Sequence, residues 1–213
     1  MKKHTIATMA AVLITAAGTA IAQDSEGADN TPTASNRPRA VEFTPMTRSE
    51  RLRNYLTTTF GPTSFVKSAA YAGFDQLMDR PTEWKQGAEG YGDRFASVYG
   101  KYFVRQTLQY GASMALHEDD RYLASGRTGF WNRTKYAISS AFVARRDNGT
   151  RCFAAARMGS AAGSAFISRA WQPASTSDAG HAASAFGITV AGDMGTNVIR
   201  EFWPDLKRAF RRK

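Results

Sequence analysis

From residue 47 to the end of the chain, apolar residues recur every three or four positions, which is the spacing of amphipathic helices. The pattern predicts six helices, over about 47–60, 62–79, 91–117, 129–145, 155–171 and 183–199. The run Thr47-Arg48-Ser49-Glu50 fits a capping box at the start of the first helix. Gly61-Pro62 separates the first helix from the second, because proline suits the first position of a helix.

The connection between the fourth and fifth predicted helices contains the turn sequence Asp147-Asn148-Gly149. Asn-Gly also suits the turn of a β-hairpin. Because the flanking residues do not alternate clearly between apolar and polar, a helix–helix connection is favoured. The expected fold is therefore all-α, a compact bundle of five to six helices with contacts faced by glycine and alanine.

Two of the predicted helices carry small residues at every fourth position, at Gly159 and Gly163 in one and at Gly187, Ala191 and Gly195 in the other. Residues four apart share a helix face. A glycine inside a helix costs about 0.5–1 kcal/mol relative to alanine, so close packing is needed to offset it. We therefore predict that neighbouring helices meet at these five residues, and that Gly187→Leu destabilises the domain by about 1–3 kcal/mol through overpacking.

The same pattern of small residues is common where helices pack inside membranes. An alternative is therefore a small integral membrane protein with a helical hairpin over 155–199. Asp193 opposes this alternative, because an aspartate at the centre of a membrane helix costs about 2.5–3.5 kcal/mol. Packing within the protein is favoured.

The first 22 residues have the three parts of a signal peptide. Lys2 and Lys3 precede an apolar stretch over 5–19, which is too short to span a bilayer, and Ala20-Ile21-Ala22 forms the cleavage site. Residues 23–46 are polar and poor in aromatic residues, which predicts a disordered leader. The chain thus divides into a signal peptide (1–22), a leader (23–46) and a helical domain (47–213). The expected location is the periplasm or the cell envelope.

Basic residues exceed acidic residues by 28 to 18 in this chain of 213, for a net charge of +10. For an exported protein the available polyanions are envelope components, so no nucleic acid partner is expected. Around Phe202, Leu206 and Phe210, the C-terminal segment carries the basic residues Lys207, Arg208, Arg211 and Arg212. A basic amphipathic helix can lie on an anionic membrane surface. The alternative is a solvated terminal helix whose aromatic residues dock on the bundle.

The densest polar cluster lies between the third and fourth predicted helices and includes His117, Glu118 and Asp119. With the distant His181, these residues are the candidates for acid–base catalysis. Adjacent acids point in different directions, and no second histidine follows at the spacing of metal ligands. We expect no metal or cofactor, and a structural role is favoured over hydrolase-like chemistry. Cys152 is the single cysteine, so no disulfide can form within the chain.

Three stretches resemble a group of uncharacterised exported proteins that is common in acidobacteria: EWKQGAEGYGDRF at 83–95, LHEDDRY at 116–122 and EFWPD at 201–205. The resemblance covers most of the chain from about Thr47. It implies export and no particular activity. The leading hypothesis is a non-enzymatic envelope protein that associates with itself, with another envelope protein or with an anionic membrane surface.

Overall fold

The computed structural model describes residues 43–211. Its helices are α1 (Arg48–Phe60), α2 (Pro62–Leu77), α3 (Ala88–Leu116), α4 (Phe130–Ser139), α5 (Ala155–Ile167) and α6 (Ala179–Arg211). A small sheet consists of β1 (Glu118–Asp119), β2 (Val143–Arg146) and β3 (Arg151–Phe153). The predicted helical bundle is confirmed. The predicted signal peptide, most of the predicted leader and Arg212 lie outside the described residues.

The capping box at the start of α1 is present. The N–H of Glu50 donates to the Oγ1 of Thr47 over 3.3 Å, and the N–H of Thr47 donates to the Glu50 carboxylate over 2.7 Å. Gly61 ends α1 and Pro62 is the first residue of α2, as predicted. After a 3₁₀ turn at Thr82–Trp84, α3 begins at Ala88, three residues earlier than expected.

The expected helix–helix connection around 147–149 is wrong, because a β-hairpin occupies this region. The fourth helix ends at Ser139, and β2 and β3 pair antiparallel with Ala144 opposite Cys152. Gly149 adopts a φ of 82° and donates its N–H to the carbonyl of Arg146 over 2.7 Å. The strands are too short to show alternation. They are also stabilised by β1, which follows α3 and pairs with β2.

The long helix α3 is the centre of the fold. It packs against α1 and α2 and against α5, while α6 packs against α5 and α4. The buried positions of these helices are mostly alanine and serine, including Ala72, Ala137, Ala161, Ser164 and Ala165. The bundle has few large apolar residues in its interior. Its small side chains let the helix backbones approach closely.

The predicted packing faces are wrong for most of the five small residues. Gly159, Gly187 and Ala191 are exposed, and nothing described lies within 4 Å of where a Cβ on Gly159 or Gly187 would stand. Gly195 is half-buried. At Gly163 a Cβ would come within 2.9 Å of Leu108 Cδ1, so this position does meet α3.

The stripe through Gly159 is exposed because α5 has a second face of small residues, and this second face packs against the neighbouring helices. Ala161, Ala165 and Met158 are buried there with several serines, whereas the stripe through Gly159 faces outward. Helical spacing identifies the residues that share a face but does not say which of two similar faces is covered. On α6 the buried residues are likewise others, namely Ala182, Val190, Asn197 and Glu201.

Two buried arginines bind the backbone of the segments that follow α2 and α4. Arg94 on α3 is 0% exposed and donates to the carbonyls of Arg80, Pro81 and Lys85 over 2.6–2.9 Å, beyond the end of α2. Arg157 on α5 donates to the carbonyls of Ser140 and Ala141 over 2.8 and 2.9 Å, at the end of α4. These carbonyls belong to the segments that follow α2 and α4, so each guanidinium supplies donors to backbone that no helix hydrogen bond satisfies.

Candidate functional site

The residues of the predicted catalytic cluster do not converge. Glu118 is buried, and its carboxylate accepts the N–H of Ala156 over 3.0 Å in the first turn of α5. The residue preceding α5, Ala154, has no polar side chain with which to cap the helix, so Glu118 supplies this acceptor. Asp119 is also buried, and its Oδ1 and Oδ2 both accept hydrogen bonds from the guanidinium of Arg121. Both carboxylates are thus used within the fold.

The two candidate histidines have separate partners. His117 is 73% exposed, and its Nδ1 lies 3.3 Å from the carboxylate of Asp147. His181 is exposed and contacts Asp178, three residues earlier. Over residues 43–211, no group of three or more His, Cys, Asp or Glu side chains is arranged to hold a metal ion.

Asp120 belongs to the same sequence cluster but lies in a different environment. One of its oxygens accepts the side-chain amide of Gln109 over 3.1 Å, and the other has no hydrogen-bond donor among the described residues. Burial raises the pKa of Asp120 above its ordinary value, and the nearby charge of Arg157 offsets this only in part. The sequence alone did not distinguish this acid from its neighbours.

Glu201 on α6 is a buried carboxylate that the sequence pattern did not indicate as a functional group. It accepts the N–H of Ser125 and the Nε–H of Arg133 over 3.0 Å each, as well as the hydroxyl of Tyr122. Burial alone would raise the pKa of Glu201, but these hydrogen bonds outweigh burial and lower it. Glu201 therefore fastens the loop over 122–129 and the first turns of α4 to α6.

The region where the loop over 122–129 and the start of α4 meet α6 presents aromatic side chains to solvent. Phe130 and Trp131, at the start of α4, are 60% and 70% exposed. The ring of Phe130 packs on both Trp131 and Phe202, with centroids 5.2 and 5.3 Å apart. From Phe202 the apolar ridge continues along one face of α6 to Leu206 and Phe210, which is 78% exposed.

Arg208 lies on a different side of α6 from Leu206 and Phe210, since it is two residues, or about half a turn, from each of them. Arg127 stacks over the ring of Tyr136, and Lys207 lies over the ring of Trp203. A cavity of about 320 Å³ opens between the loop and α6, lined in part by Gly126, Arg127, Thr128, Arg133, Asp205 and Arg208. We call this surface the aromatic–basic face, defined by Phe130 and Trp131 together with Arg127, Lys207, Arg208 and Arg211.

The basic residues at and beneath the aromatic–basic face differ in how closely acidic residues pair with them. Arg133 binds both nearby acids, with its Nε 3.0 Å from Glu201 and a terminal nitrogen 2.6 Å from Asp205. Arg208 approaches Asp205 only to 3.9 Å, and both of these side chains are largely exposed. The acids are thus mainly satisfied by Arg133, which leaves the face positively charged.

The predicted surface-binding residues Lys207, Arg208 and Arg211 all lie in the exposed last turns of α6. Phe130, Trp131 and Arg127 belong to a different part of the sequence and were not foreseen as neighbours of this segment. Between residues 43 and 211, no helix combines the length and the hydropathy that crossing a bilayer requires. Comparison with family models, curated proteins and solved structures found no match to this chain.

Proposed function

We propose that this is an exported, non-enzymatic protein that binds the surface of an anionic membrane in the cell envelope through its aromatic–basic face. The observation that carries the proposal is the exposure of Phe130 and Trp131, which directly follow Gly129 in the lining of the cavity that Arg127 and Arg208 also line. Tryptophan is enriched at the interface between membrane and water, where its ring contacts the acyl boundary and its N–H stays hydrated. Arginine and lysine next to such rings attract anionic headgroups.

The expected strength of this interaction follows from the residues present. Each basic residue near an anionic surface contributes about 1 kcal/mol at moderate salt. Four of them, Arg127, Lys207, Arg208 and Arg211, would contribute about 4 kcal/mol, and partial burial of the aromatic rings adds to this. Reversible, salt-dependent attachment is therefore expected, rather than insertion across the bilayer.

The roles of the polar cluster support this proposal over a hydrolase-like one. Glu118 caps α5 and Asp119 is held by Arg121, so neither carboxylate is directed with His117 or His181 toward a common point. Acid–base catalysis requires such groups within hydrogen-bonding reach of one substrate.

Co-sedimentation with lipid vesicles tests the membrane proposal. The purified protein should sediment with vesicles that contain phosphatidylglycerol and stay in the supernatant with vesicles of phosphatidylcholine alone. Arg127→Ala/Arg208→Ala should weaken binding by about 2 kcal/mol, roughly thirtyfold, because two charges near the surface are lost. Phe130→Ser/Trp131→Ser should weaken it as well, by removing the apolar contact.

Matched controls are available elsewhere on the surface. Arg53 is exposed on α1 and Leu77 is 85% exposed at the end of α2, and both helices pack mainly against α3. Arg53→Ala and Leu77→Ser should bind as the wild type does. All of these proteins share residues 1–42, so any contribution from that segment cancels. Equal binding by all of them, or equal binding to neutral vesicles, would refute the proposal.

Export is a separate part of the proposal and rests on the signal-peptide pattern of residues 1–22. The expected result is that the protein recovered from envelope fractions begins at Gln23. N-terminal sequencing of the protein from each cell fraction checks this. A chain that keeps Met1 or Lys2 and stays in the cytoplasmic fraction would contradict export.

Self-association is a second candidate, supported by the outward small-residue faces. Gly187 and Ala191 on α6 and Gly159 on α5 are exposed and carry no charge, so another helix could approach them closely. If copies of the chain meet there, Gly187→Leu should lower the native mass from dimer to monomer, and its Tm should match that of the wild type diluted to the monomer, because the overpacking expected from the sequence does not arise at an exposed Gly187. A wild-type protein that is monomeric at every concentration tested by analytical ultracentrifugation would rule out this candidate.

A further inference from the structure

The side of α6 that points away from the bundle is apolar along most of its length. Ile188, Ile199 and Phe210 are eleven residues apart, which is about three helical turns, so they lie on one line along the helix. The buried residues Val190 and Asn197 lie about half a turn from that line, on the side where α4 and α5 pack. We call the opposite side the outer face of α6, defined by its large apolar residues Ile188, Ile199, Phe202, Leu206 and Phe210.

This outer face is exposed and uncharged. Ile188 is 56% exposed and Ile199 is 38% exposed, and only the small residues Ala191, Gly192 and Gly195 lie between them on this side. Within about 60° of the line, α6 carries no charged residue between positions 184 and 210. A surface helix normally presents charged and polar residues on the side opposite the core. The outer face of α6 therefore has the composition of a surface that a partner covers.

Basic residues line one edge of the outer face. Three of them directly follow a residue of this face in the sequence, as Ile199-Arg200, Leu206-Lys207 and Phe210-Arg211. Each thus lies about 100° around the helix from its neighbour. All three cations are exposed, and among residues 43–211 none of them pairs with a carboxylate within 4.0 Å. Long basic side chains at such an edge can reach anionic groups while the apolar residues beside them leave water.

The pairing of the acids on α6 decides between two possible partners, a second copy of this chain and a lipid surface. All three acids of the helix are already bound, Asp193 by Arg105 and both Glu201 and Asp205 by Arg133. A second α6 on the outer face would bring more cations to this edge without an unpaired carboxylate to compensate them. Anionic headgroups supply that negative charge, and the acyl boundary beneath them accepts apolar side chains.

We propose that α6 lies along the plane of an anionic membrane, with its outer face at the boundary between headgroups and acyl chains. This proposal rests on the proposed membrane binding and extends the contact along about 33 Å of helix, from Ile188 to Phe210. The outer face meets the aromatic–basic face where the rings of Phe202 and Phe130 pack, with centroids 5.3 Å apart. Helix α6 continues through Pro204, so its last turns belong to the same helix. An amphipathic helix in this orientation buries its apolar side about 5–10 Å deep without crossing the bilayer.

A fluorophore attached to α6 tests this orientation. Cys152 is the single cysteine of the chain, so Cys152→Ser provides a background for one new cysteine. Ile188→Cys and Ala183→Cys are each labelled with a nitrobenzoxadiazole dye, whose emission rises in an apolar environment. Both positions are exposed, but Ala183 faces about 140° away from Ile188. On vesicles of phosphatidylglycerol and phosphatidylcholine, emission should rise several-fold at position 188 and stay nearly constant at position 183. Equal changes at the two positions would overturn the proposal.

The strength of vesicle binding provides a second measurement. Ile188→Ser/Ile199→Ser should bind vesicles that contain phosphatidylglycerol about tenfold more weakly, because two apolar side chains no longer enter the membrane. Its Tm should stay close to that of the wild type, since both residues are exposed. The matched control is Leu52→Ser/Leu56→Ser on α1, where the two leucines are 44% and 45% exposed. This control should bind as the wild type does.

The outcomes separate this proposal from the proposed function. If Phe130→Ser/Trp131→Ser weakens vesicle binding and Ile188→Ser/Ile199→Ser does not, the aromatic–basic face binds alone and only the present proposal is overturned. A dimer in analytical ultracentrifugation that Ile188→Ser/Ile199→Ser converts to monomer would assign the outer face to a second copy of this chain, which also overturns it. A wild-type protein that does not bind anionic vesicles would refute both.

Discussion

Arginine has opposite environments in two regions of this molecule. In the interior, Arg94 is 0% exposed and donates to several carbonyls beyond the end of α2. At the aromatic–basic face, Arg127 and Arg208 are exposed, one above an aromatic ring and the other 3.9 Å from an acid. The interior arginine has satisfied donors and stabilises the fold, whereas no residue between 43 and 211 accepts a side-chain hydrogen bond from Arg127 or Arg208. Net charge therefore gives no measure of the charge available for binding.

The largest difference between the two regions should appear in Arg94→Met. Its removal takes a charged donor from the partly buried carbonyls of Arg80, Pro81 and Lys85, of which Pro81 keeps only the N–H of Trp84 at 3.4 Å, and each lost bond costs about 1–3 kcal/mol. We expect a loss of at least ~3 kcal/mol in the free energy of unfolding, measured with urea. Arg208→Met, the matched control, should change it by less than about 0.5 kcal/mol. Similar losses of unfolding free energy in Arg94→Met and Arg208→Met would contradict the difference between the interior and the outer arginines.

A smaller loss is expected at Glu201, which lies beneath the aromatic–basic face. Glu201→Gln weakens the hydrogen bonds from Ser125, Tyr122 and Arg133, at a cost of about 2 kcal/mol. Because the pKa of Glu201 is lowered in the folded protein, its stabilisation is present above the ordinary pKa of 4.5 and is lost as pH falls through the lowered value. Urea unfolding at several pH values measures this. The variant should lose less stability than the wild type on acidification, and identical pH profiles would contradict the assignment.

Asp120 should show the opposite dependence on pH. Because the pKa of Asp120 is raised in the folded protein, the folded state holds more protons between the ordinary value of 3.8 and the raised one. Stability from this group therefore falls as pH rises through that window. Asp120→Asn should remove this part of the pH dependence. A variant whose unfolding free energy follows pH as the wild type does would place Asp120 in a more polar setting.

The smallest expected effect is a gain at the outward stripe. Gly187 is exposed in the interior of α6, with nothing described near its Cβ position. Gly187→Ala should stabilise the protein by about 0.5–1 kcal/mol, since alanine loses less backbone freedom in a helix. Gly90 provides the contrast, because a Cβ there would lie 2.1 Å from the carbonyl oxygen of Trp84. Gly90→Ala should lower the Tm, and a lower Tm for Gly187→Ala would contradict the exposed placement.

The helical fold could be predicted because its signals are local. The capping box at Thr47 and the break at Gly61-Pro62 act within a few residues, and both are present. The hairpin was only the less favoured alternative in the sequence, since β2 depends on pairing with β1, which lies beyond the whole of α4 in sequence. Local pattern cannot report a contact made across such a distance.

The candidate site was predictable only in its C-terminal half. Lys207, Arg208 and Arg211 stand out by charge, whereas Phe130 and Trp131 read as part of an ordinary amphipathic helix. They reach α6 because Glu201 holds Ser125 and Arg133, and these contacts span about seventy residues of sequence. The prediction that helices pack at the Gly159 stripe failed for a related reason. Helix α5 has two faces of small residues, and tertiary packing covers the face of Ala161 and Ala165 instead.

The most direct test of the central claim is the depth of Trp131 in a membrane. Fluorescence of the protein bound to anionic vesicles can be measured with and without lipids brominated near the headgroup end of the acyl chain. Trp131→Phe serves as the reference for the other tryptophans. The account predicts strong quenching in the wild type that the Trp131→Phe variant largely lacks. Equal quenching in the two proteins would show that Trp131 stays in water, and the aromatic–basic face would not be the membrane contact.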